Sequence, residues 1–290
     1  MKKYCKLFLV FFVLACQQKA SDLTELFSFP KSLKEVSGIV TIQNSELIGC
    51  LEDSGNKSKV YFLDLTGEIQ HSIKVKGLEN KDWEDIAKDP QGNLYIGDFG
   101  NNDNIRQDLA IYKLDKTALT KSEIHPSAII EFAYPEQKDF PPKKKNRHFD
   151  VEGYVVFQNN FYLFTKNRSS NFDGTAFIYK VPNVSGKHQA KKIGEFKTGP
   201  DYQNYAITSV ALSPDQKKLA ILTHSKIILL ENFKGDDFLS GKRTEIDLHH
   251  FSQKEAICFK DNFSLYIADE KVKNTGGKLY EFKIQTPTQN

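Results

Sequence analysis

Acidic and hydroxyl side chains recur at one position of a motif that is repeated five times along the chain. The recurring positions are Ser37, Glu84, Glu152, Thr208 and Glu255. Carboxylates that meet in a narrow space repel one another unless a cation neutralises them. Ca²⁺ accepts carboxylate and hydroxyl oxygens as ligands. The five positions therefore predict a Ca²⁺ site. The alternative is that the acids pair with basic side chains and backbone amides without a metal.

A second set of polar side chains stands at the end of the strand that follows each recurring position. The set comprises Glu52 or Asp53, Asp98, Lys166, His224, and Asp269 or Glu270. His224 is a candidate general base because imidazole titrates near neutral pH, and Asp98 is a second candidate catalytic residue. Lys166 and the nearby Arg106 are candidates for contact with an anionic group of a ligand. The two glutamates of the set are candidate ligand-binding residues.

Each copy of the motif reads as two strands joined by a turn. In the second copy, residues 82–101, an apolar pair is followed by Asp-Pro-Gln-Gly at residues 89–92 and by a second apolar run. Proline presets φ and glycine accepts positive φ, as a tight turn requires. A third strand follows in every copy and a fourth strand in the first four copies. The candidate functional residues thus stand at the beginning or end of predicted strands.

The repeat predicts an all-β fold of the β-propeller class. Its recurring positions are separated by 47, 68, 56 and 47 residues, and four-stranded units of about 40–50 residues are typical of propellers. Five blades are favoured, and six are possible if the long approach to the third copy contains a degenerate blade. The fifth copy lacks a fourth strand, which residues 26–29 would supply to close the ring. A β-sandwich is the rival fold, but it does not require one motif in every fourth strand.

The N-terminus has the pattern of a bacterial lipoprotein signal. Two lysines at positions 2 and 3 precede an apolar run at residues 7–14, which is too short for an ordinary membrane-spanning helix. The run ends in Val13-Leu14-Ala15-Cys16, which resembles a lipobox. The resemblance implies cleavage before Cys16 and acylation of this residue, which anchors a protein to a membrane without crossing it. An ordinary secretory signal with an incidental cysteine is the alternative.

These segments divide the chain into four parts. Residues 1–15 are the predicted signal peptide, residues 16–24 a tether, residues 25–285 a single propeller and residues 286–290 a tail. The predicted location is the bacterial cell envelope, with the protein lipid-anchored at the outer membrane or the cell surface. The partners expected there are the membrane itself, through Cys16, and an unidentified small anionic ligand or partner protein, and we expect the protein to be a monomer.

The charge balance argues against a nucleic-acid partner. The chain has 40 basic and 37 acidic side chains, and three of the lysines lie in the predicted signal. The remaining domain is therefore neutral overall, whereas nucleic-acid-binding domains are basic. Cys50 and Cys258 fall inside apolar strand patterns, where two buried free thiols or a disulfide are both possible.

Several segments of the chain resemble, in order, motifs of secreted bacterial propeller proteins described as phytase-like, esterase-like or SdiA-regulated-like. The matching segments are Glu52-Asp53-Ser54-Gly55, Asp82-Trp83-Glu84-Asp85-Ile86-Ala87, Asp98-Phe99-Gly100-Asn101 with Arg106, Asp150-Val151-Glu152-Gly153, Thr165-Lys166, Ala211-Leu212-Ser213-Pro214-Asp215 and Lys254-Glu255-Ala256-Ile257. In plan, the chain is more distantly similar to calcium-dependent propellers such as regucalcin, paraoxonase and the calcium-activated apyrase.

The more distant resemblance implies a metal-ligand role for the three recurring glutamates, Glu84, Glu152 and Glu255. This chain departs from the pattern of those propellers at Ser37 and Thr208, which replace acids and weaken the ligand set. The function implied is a metal-dependent hydrolase of phosphoesters or esters. The main alternative is a non-catalytic propeller that binds a ligand or a protein, and glycoside hydrolysis is a third possibility, because paired carboxylates also serve that reaction.

Overall fold

Twenty-two strands, numbered β1 to β22 in chain order, form five sheets in the computed structural model, which describes residues 22–284. The sheets are the blades of a five-bladed β-propeller, which confirms the predicted fold class. The predicted signal peptide, Cys16 and residues 286–290 lie outside the described residues. No helix within residues 22–284 has the length and apolar character needed to span a membrane.

The first eleven strands are β1 (Leu23–Ser28), β2 (Val36–Thr41), β3 (Ile48–Glu52), β4 (Lys59–Leu63), β5 (Ile69–Val75), β6 (Trp83–Lys88), β7 (Leu94–Asp98), β8 (Leu109–Leu114), β9 (Glu123–Ile124), β10 (Ala128–Ala133) and β11 (Asp150–Phe157). The others are β12 (Asn160–Lys166), β13 (Thr175–Pro182), β14 (Gly186–Gln189), β15 (Lys191–Lys197), β16 (Ile207–Leu212), β17 (Lys218–Thr223), β18 (Lys226–Glu231), β19 (Lys242–Asp247), β20 (Lys254–Phe259), β21 (Ser264–Asp269) and β22 (Lys278–Lys283). One short α-helix, α1 (Tyr202–Tyr205), and three 3₁₀ turns (Lys116–Ala118, Lys144–Asn146 and Phe238–Ser240) lie in the connections.

Each blade is an antiparallel sheet whose first strand lines the centre of the ring. These inner strands are β2, β6, β11, β16 and β20, and each contacts the inner strands of its two neighbours, so the ring is continuous. The last blade is completed by β1, which pairs antiparallel with β22 and places Phe27 opposite Leu279. This pairing confirms the predicted ring closure. It also satisfies backbone groups that would otherwise form an exposed sheet edge.

Two outer edges carry an additional short strand that the sequence did not predict. Strand β9 pairs in parallel with β5 of the first blade, and β14 pairs in parallel with β10 of the second blade. Both strands come from segments that belong to the following blade or its connection. The long spacing between the second and third copies therefore reflects β9 and a loop, and no sixth sheet forms within the described residues.

Apolar side chains fill the spaces between neighbouring blades. Trp83 is completely buried among aliphatic residues of the first and second blades, so it serves in packing. Phe99 and Tyr154 pack edge-to-face between the second and third blades, with ring centroids 5.2 Å apart. Cys50 and Cys258 are buried free thiols. The core thus consists of five interfaces arranged around a central channel.

All five inner strands carry a β-bulge at the same place. In each strand one residue is passed over by the pairing with the second strand of the blade: Ser37, Glu84, Glu152, Thr208 and Glu255. A bulge leaves one residue outside the ladder and redirects its side chain. Neighbouring inner strands also approach closely here, since a Cβ added at Gly153 would lie 2.4 Å from the Val210 backbone nitrogen. The recurring positions of the sequence are therefore the bulge residues of the propeller.

Candidate metal centre

One end of the central channel opens into a polar cavity of about 410 Å³, which we call the acidic mouth. Four of the five bulge residues line it, namely Ser37, Glu84, Glu152 and Glu255. The fifth, Thr208, is buried and its hydroxyl has no hydrogen-bond partner among the described residues. The mouth is also lined by residues that follow second strands or end them: Asp53, Lys166, His224 and Glu270. The bulges and the strand ends together bring acidic groups from four blades to one place.

Two groups of three carboxylates in and beside the acidic mouth have the spacing of a metal site. Glu84 belongs to both: the first group adds Asp53 and Asp82, and the second adds Asp150 and Glu152. In each group one oxygen from every carboxylate lies within 4.8 Å of the others. These five residues, which we call the Glu84 cluster, offer only oxygen ligands, the type that Ca²⁺ and Mg²⁺ prefer.

Glu84 lacks a partner at the centre of this cluster. Its side chain is buried, with 8% of its surface exposed, and none of the residues 22–284 donates a hydrogen bond or an ion pair to its carboxylate. Burial is the main cause that raises its pKa well above the usual value, and the negative charges of Glu152, Asp53, Asp150 and Asp82 add to the effect. Carboxylates in this situation must hold protons or a cation.

Arg168 compensates the other side of the cluster. Its Nε lies 2.5 Å from Asp150 Oδ2 and its terminal nitrogen 2.7 Å from Glu152 Oε1, so one guanidinium bridges both acids. Lys166 adds a third contact, with Nζ 3.1 Å from Glu152 Oε2. Asp150 and Glu152 are nearly inaccessible to solvent, which strengthens these pairs. Among residues 22–284, the ion pairs of Arg168 and Lys166 with the Glu84 cluster reach only Asp150 and Glu152, so Asp53, Asp82 and Glu84 have no ion-pair partner.

Other carboxylates at the mouth also retain protons near neutral pH. Burial raises the pKa of Glu255 to about 8 and that of Glu270 to about 7. It likewise raises the pKa of Asp82 to about 7, with the Asp53 charge as the next cause. The pKa of His224 is lowered to about 4, first by burial and then by the positive charges of Lys166, Lys254 and Arg168. His224 is therefore neutral at pH 7.

We expect the free energy of unfolding of the metal-free protein to fall as the pH rises from about 6 to 8. Asp82, Glu255 and Glu270 still bind protons in the folded state over this range, whereas the unfolded chain has already released them. A folded state that binds more protons loses stability as the pH rises. The three carboxyls together account for a loss of about 5 kcal/mol, and the lowered pKa of His224 opposes it by about 1 kcal/mol. The net loss should be roughly 3–4 kcal/mol, measured by urea unfolding in EDTA.

The control for this pH dependence is Glu255→Gln, which should reduce the slope because glutamine does not titrate. A stability that is constant or rises from pH 6 to 8 in wild type would contradict the expectation. Saturating Ca²⁺ should flatten the curve, since a metal ion binds the deprotonated carboxylates.

Some residues predicted from the sequence lie outside the mouth. Asp98 is completely buried and accepts hydrogen bonds from Arg106, 2.8 Å away, and from the Tyr112 hydroxyl. Arg106 also forms an ion pair with Asp108, and this arginine does not line the mouth. The Glu52 carboxylate accepts a hydrogen bond from the Lys34 backbone amide at 3.0 Å and does not line the mouth either.

The phase of side-chain alternation explains this division. Asp98 is paired with Trp83, and Glu52 with Val36, in the ladders of their blades. Paired residues project from the same face of a sheet, which here is the face packed between blades. The residue that follows the pair projects towards the mouth in four blades: Asp53, Lys166, His224 and Glu270. The predicted set therefore combined residues from two faces.

Other residues of the site were absent from the sequence prediction. Arg168 stands two residues after a predicted strand end, and no pattern of residue types marked it. Tyr202 and Phe251 form an aromatic rim, with 36% and 63% of their surfaces exposed. The Tyr202 hydroxyl accepts a hydrogen bond from Arg168 at 2.7 Å. Asp82 and Asp150 could have been found from the sequence, because each stands two residues before a recurring glutamate.

Comparison with known proteins identifies the fold. No family model and no curated protein sequence matches the chain. Aldose sugar dehydrogenase from Streptomyces coelicolor, solved in its PQQ-bound form, is 9% identical with a TM-score of 0.51, covering 91% of this chain and 98% of that one. The Cps50 (Swd1) propeller domain from Myceliophteria thermophila is 10% identical (TM-score 0.48; 92% and 100% covered).

A gluconolactonase from Xanthomonas campestris is also similar, with 9% identity, a TM-score of 0.47 and coverage of 86% of this chain and 72% of that one. Identities this low carry no information on substrate or cofactor. The similarity to the aldose sugar dehydrogenase is one of fold alone, and the function has to be argued from the acidic mouth.

Proposed function

We propose that the acidic mouth binds Ca²⁺ and that the protein is a Ca²⁺-dependent hydrolase of phosphoesters or esters. The observation that carries this proposal is the buried Glu84 carboxylate, which has four carboxylates around it and no donor or cation of its own. Without a cation, this cluster would destabilise the folded protein, because each buried carboxylate lowers the free energy of unfolding by several kcal/mol unless it is neutralised. A resident divalent cation removes this cost.

The donor set fits a hard cation. Asp53, Asp82, Glu84, Asp150 and Glu152 would hold it through carboxylate oxygens, and Ca²⁺ takes six to eight such ligands with water completing the shell. The cluster contains no histidine or cysteine, which argues against a zinc centre. When bound, a cation of this kind polarises a phosphoryl or carbonyl oxygen of the substrate.

The remaining residues of the mouth supply binding and proton transfer. Lys166 lies between Glu152 and Glu255 and adds positive charge that favours an anionic substrate group. A general acid or base works best when its pKa is close to the working pH. Glu270 and Glu255, with pKa values of about 7 and 8, meet this condition better than His224. We therefore assign proton transfer to the two glutamates and hydrogen bonding to the neutral imidazole.

The proposal is tested by turnover of p-nitrophenyl phosphate, bis(p-nitrophenyl) phosphate and p-nitrophenyl acetate in Ca²⁺ and in EDTA. We expect turnover of at least one of them only in Ca²⁺. Glu270→Gln should lower kcat by about 100-fold or more, the usual contribution of a general acid or base. His224→Gln should lower it by less than about tenfold. Equal losses in both variants would contradict the assignment, and turnover in EDTA would contradict metal dependence.

A non-catalytic binding protein is the second candidate. The aromatic rim favours it, because Phe251 is 63% exposed beside the mouth and exposed aromatic rings are common at recognition surfaces. Under this alternative, Ca²⁺ binding persists while all three substrates remain intact. Calorimetry with Ca²⁺ therefore separates loss of the metal site from loss of catalysis alone.

We also propose that the propeller is tethered to the bacterial cell envelope through acylated Cys16, as in the secreted propeller lipoproteins that its motifs resemble. The lipobox-like segment supports this proposal. If it is correct, Cys16→Ser should move the protein from the membrane fraction to the soluble fraction. Retention of this variant in the membrane fraction would contradict it.

A further inference from the structure

The central channel has a second cavity at the end opposite the acidic mouth. Its volume is about 330 Å³, within the range of roughly 300–1,000 Å³ that is usual for small-molecule sites. The last residues of all five inner strands line it, and most of them are apolar, for example Ile39, Ile86, Val156, Ala211 and Ile257. We call it the apolar cavity. The apolar cavity is lined mainly by apolar side chains, whereas the acidic mouth is lined mainly by polar and acidic ones.

Among residues 22–284, Lys88 is the one basic residue that lines the apolar cavity. Its Nζ donates to the Thr41 backbone oxygen at 2.9 Å and to Thr41 Oγ1 at 2.6 Å. Both acceptors are neutral, and Lys88 forms no ion pair with any carboxylate of residues 22–284. Burial lowers the pKa of Lys88, and the single nearby titratable group that acts on it is the Cys258 thiol. The ammonium is therefore partly desolvated without a counter-ion.

Asp89, the one acidic residue that lines the cavity in the described part of the chain, does not neutralise this charge. Asp89 uses Oδ1 to accept from the Asn93 amide at 2.9 Å, and Oδ2 to accept from Asn93 Nδ2 at 2.7 Å and the Tyr95 hydroxyl at 3.1 Å. Its carboxylate thus fixes the turn of the second blade. The cavity consequently presents one positive charge beside an aliphatic wall.

We propose that the apolar cavity binds a monocarboxylate with a compact aliphatic body. The carboxylate would pair with the Lys88 ammonium, which removes the cost of an uncompensated buried charge. The aliphatic body would cover Ile39, Ile86, Val156 and Ile257, and burial of apolar surface favours binding. A single cation among apolar side chains suits one negative charge better than the two charges of a phosphate monoester. This site is separate from the Glu84 cluster and does not depend on the proposed hydrolase activity.

The test is calorimetric titration of the protein with sodium octanoate and, separately, with octan-1-ol, in EDTA so that no divalent cation is bound. We expect one octanoate per chain, bound at least about tenfold more tightly than octanol, which corresponds to about 1.4 kcal/mol for the ion pair. Lys88→Met should weaken octanoate binding by about tenfold or more and change octanol binding by less than about threefold. Lys88→Arg should retain octanoate binding.

Two further variants locate the site. Ala87→Phe places a ring in the apolar cavity and should abolish binding of both compounds, whereas Glu84→Gln at the acidic mouth should leave both unchanged. Melting curves establish whether each variant is folded. If Lys88→Met does not fold, the two separate variants Ala87→Phe and Lys88→Arg test the proposal. Absence of octanoate binding at millimolar concentration would overturn the proposal. Equal binding of octanoate by wild type and Lys88→Met, or by wild type and Ala87→Phe, would also overturn it.

Discussion

Ca²⁺ is expected to raise the melting temperature of the wild-type protein, and Glu84→Gln is expected to abolish this rise. Glu84 is shared by both groups of the cluster, so its neutral replacement removes one charge from each. The loss should weaken Ca²⁺ binding by about 100-fold or more, since each carboxylate ligand contributes several kcal/mol of attraction in a buried site. Calorimetry gives the affinity, and melting curves with and without Ca²⁺ give the linked stability.

The same substitution should have the opposite effect on the metal-free protein. Without a metal, the buried Glu84 carboxyl has to take up a proton on folding, because burial and the charges of the neighbouring acids raise its pKa. Glutamine does not carry this cost, so the free energy of unfolding in EDTA should rise by roughly 1–2 kcal/mol. Glu52→Gln is the matched control: Glu52 is buried at the same end of the first blade, but it accepts a hydrogen bond from Lys34 and does not line the mouth. Its Ca²⁺ response should equal that of wild type.

A decrease in the stability of metal-free Glu84→Gln, or an unchanged Ca²⁺ response, would show that the cluster is not a metal site. General damage to the fold cannot imitate the expected pair of results, because it would lower stability under both conditions.

Arg168→Met is expected to lower the stability of the metal-free protein by about 3–5 kcal/mol, the usual effect of removing one partner of a buried ion pair. The guanidinium bridges Asp150 and Glu152, whose side chains are 0% and 4% exposed. Without Arg168, both carboxylates remain buried with only Lys166 nearby. The melting temperature in EDTA should fall by roughly 6–12 °C.

Calcium should restore much of this loss. Arg168 and a bound cation compete for the same two carboxylates, so the variant should bind Ca²⁺ at least about tenfold more tightly than wild type. Arg147→Met is the control, since Arg147 pairs with the exposed Asp103 and such surface pairs contribute about 1 kcal/mol or less. An Arg168→Met variant that is as stable as wild type, or that binds Ca²⁺ less tightly, would contradict the competition.

The fold and the positions of the site could be predicted because both follow from the repeat. One motif recurs at intervals close to the length of a blade, and that recurrence alone places Glu84, Glu152 and Glu255 at equivalent points of a ring. The same argument identified the missing strand of the last blade, which β1 supplies. Periodicity therefore determined which residues are equivalent, and ring closure placed the inner strands around one channel.

Periodicity did not determine the direction in which each side chain projects. Asp98 and Glu52 correspond in the ladder to Thr165, one residue before Lys166, so they point between the blades although all three segments end second strands. The parallel edge strands β9 and β14 depend on long connections that carry no repeat. Arg168 acts through tertiary contacts with Asp150 and Glu152, and a single arginine in a loop gives no pattern that could reveal them.

The five bulges separate the chemistry of the mouth from the stability of the propeller. A bulge residue has no partner in the ladder of its blade, so its side chain can be exchanged without a change of register. Evolution can therefore vary Ser37, Glu84, Glu152, Thr208 and Glu255 as a set. Replacement of the three glutamates would remove part of the negative charge of the acidic mouth, and acids at Ser37 and Thr208 would add to it. Descendants of one scaffold can thus diverge in activity while their blades remain the same.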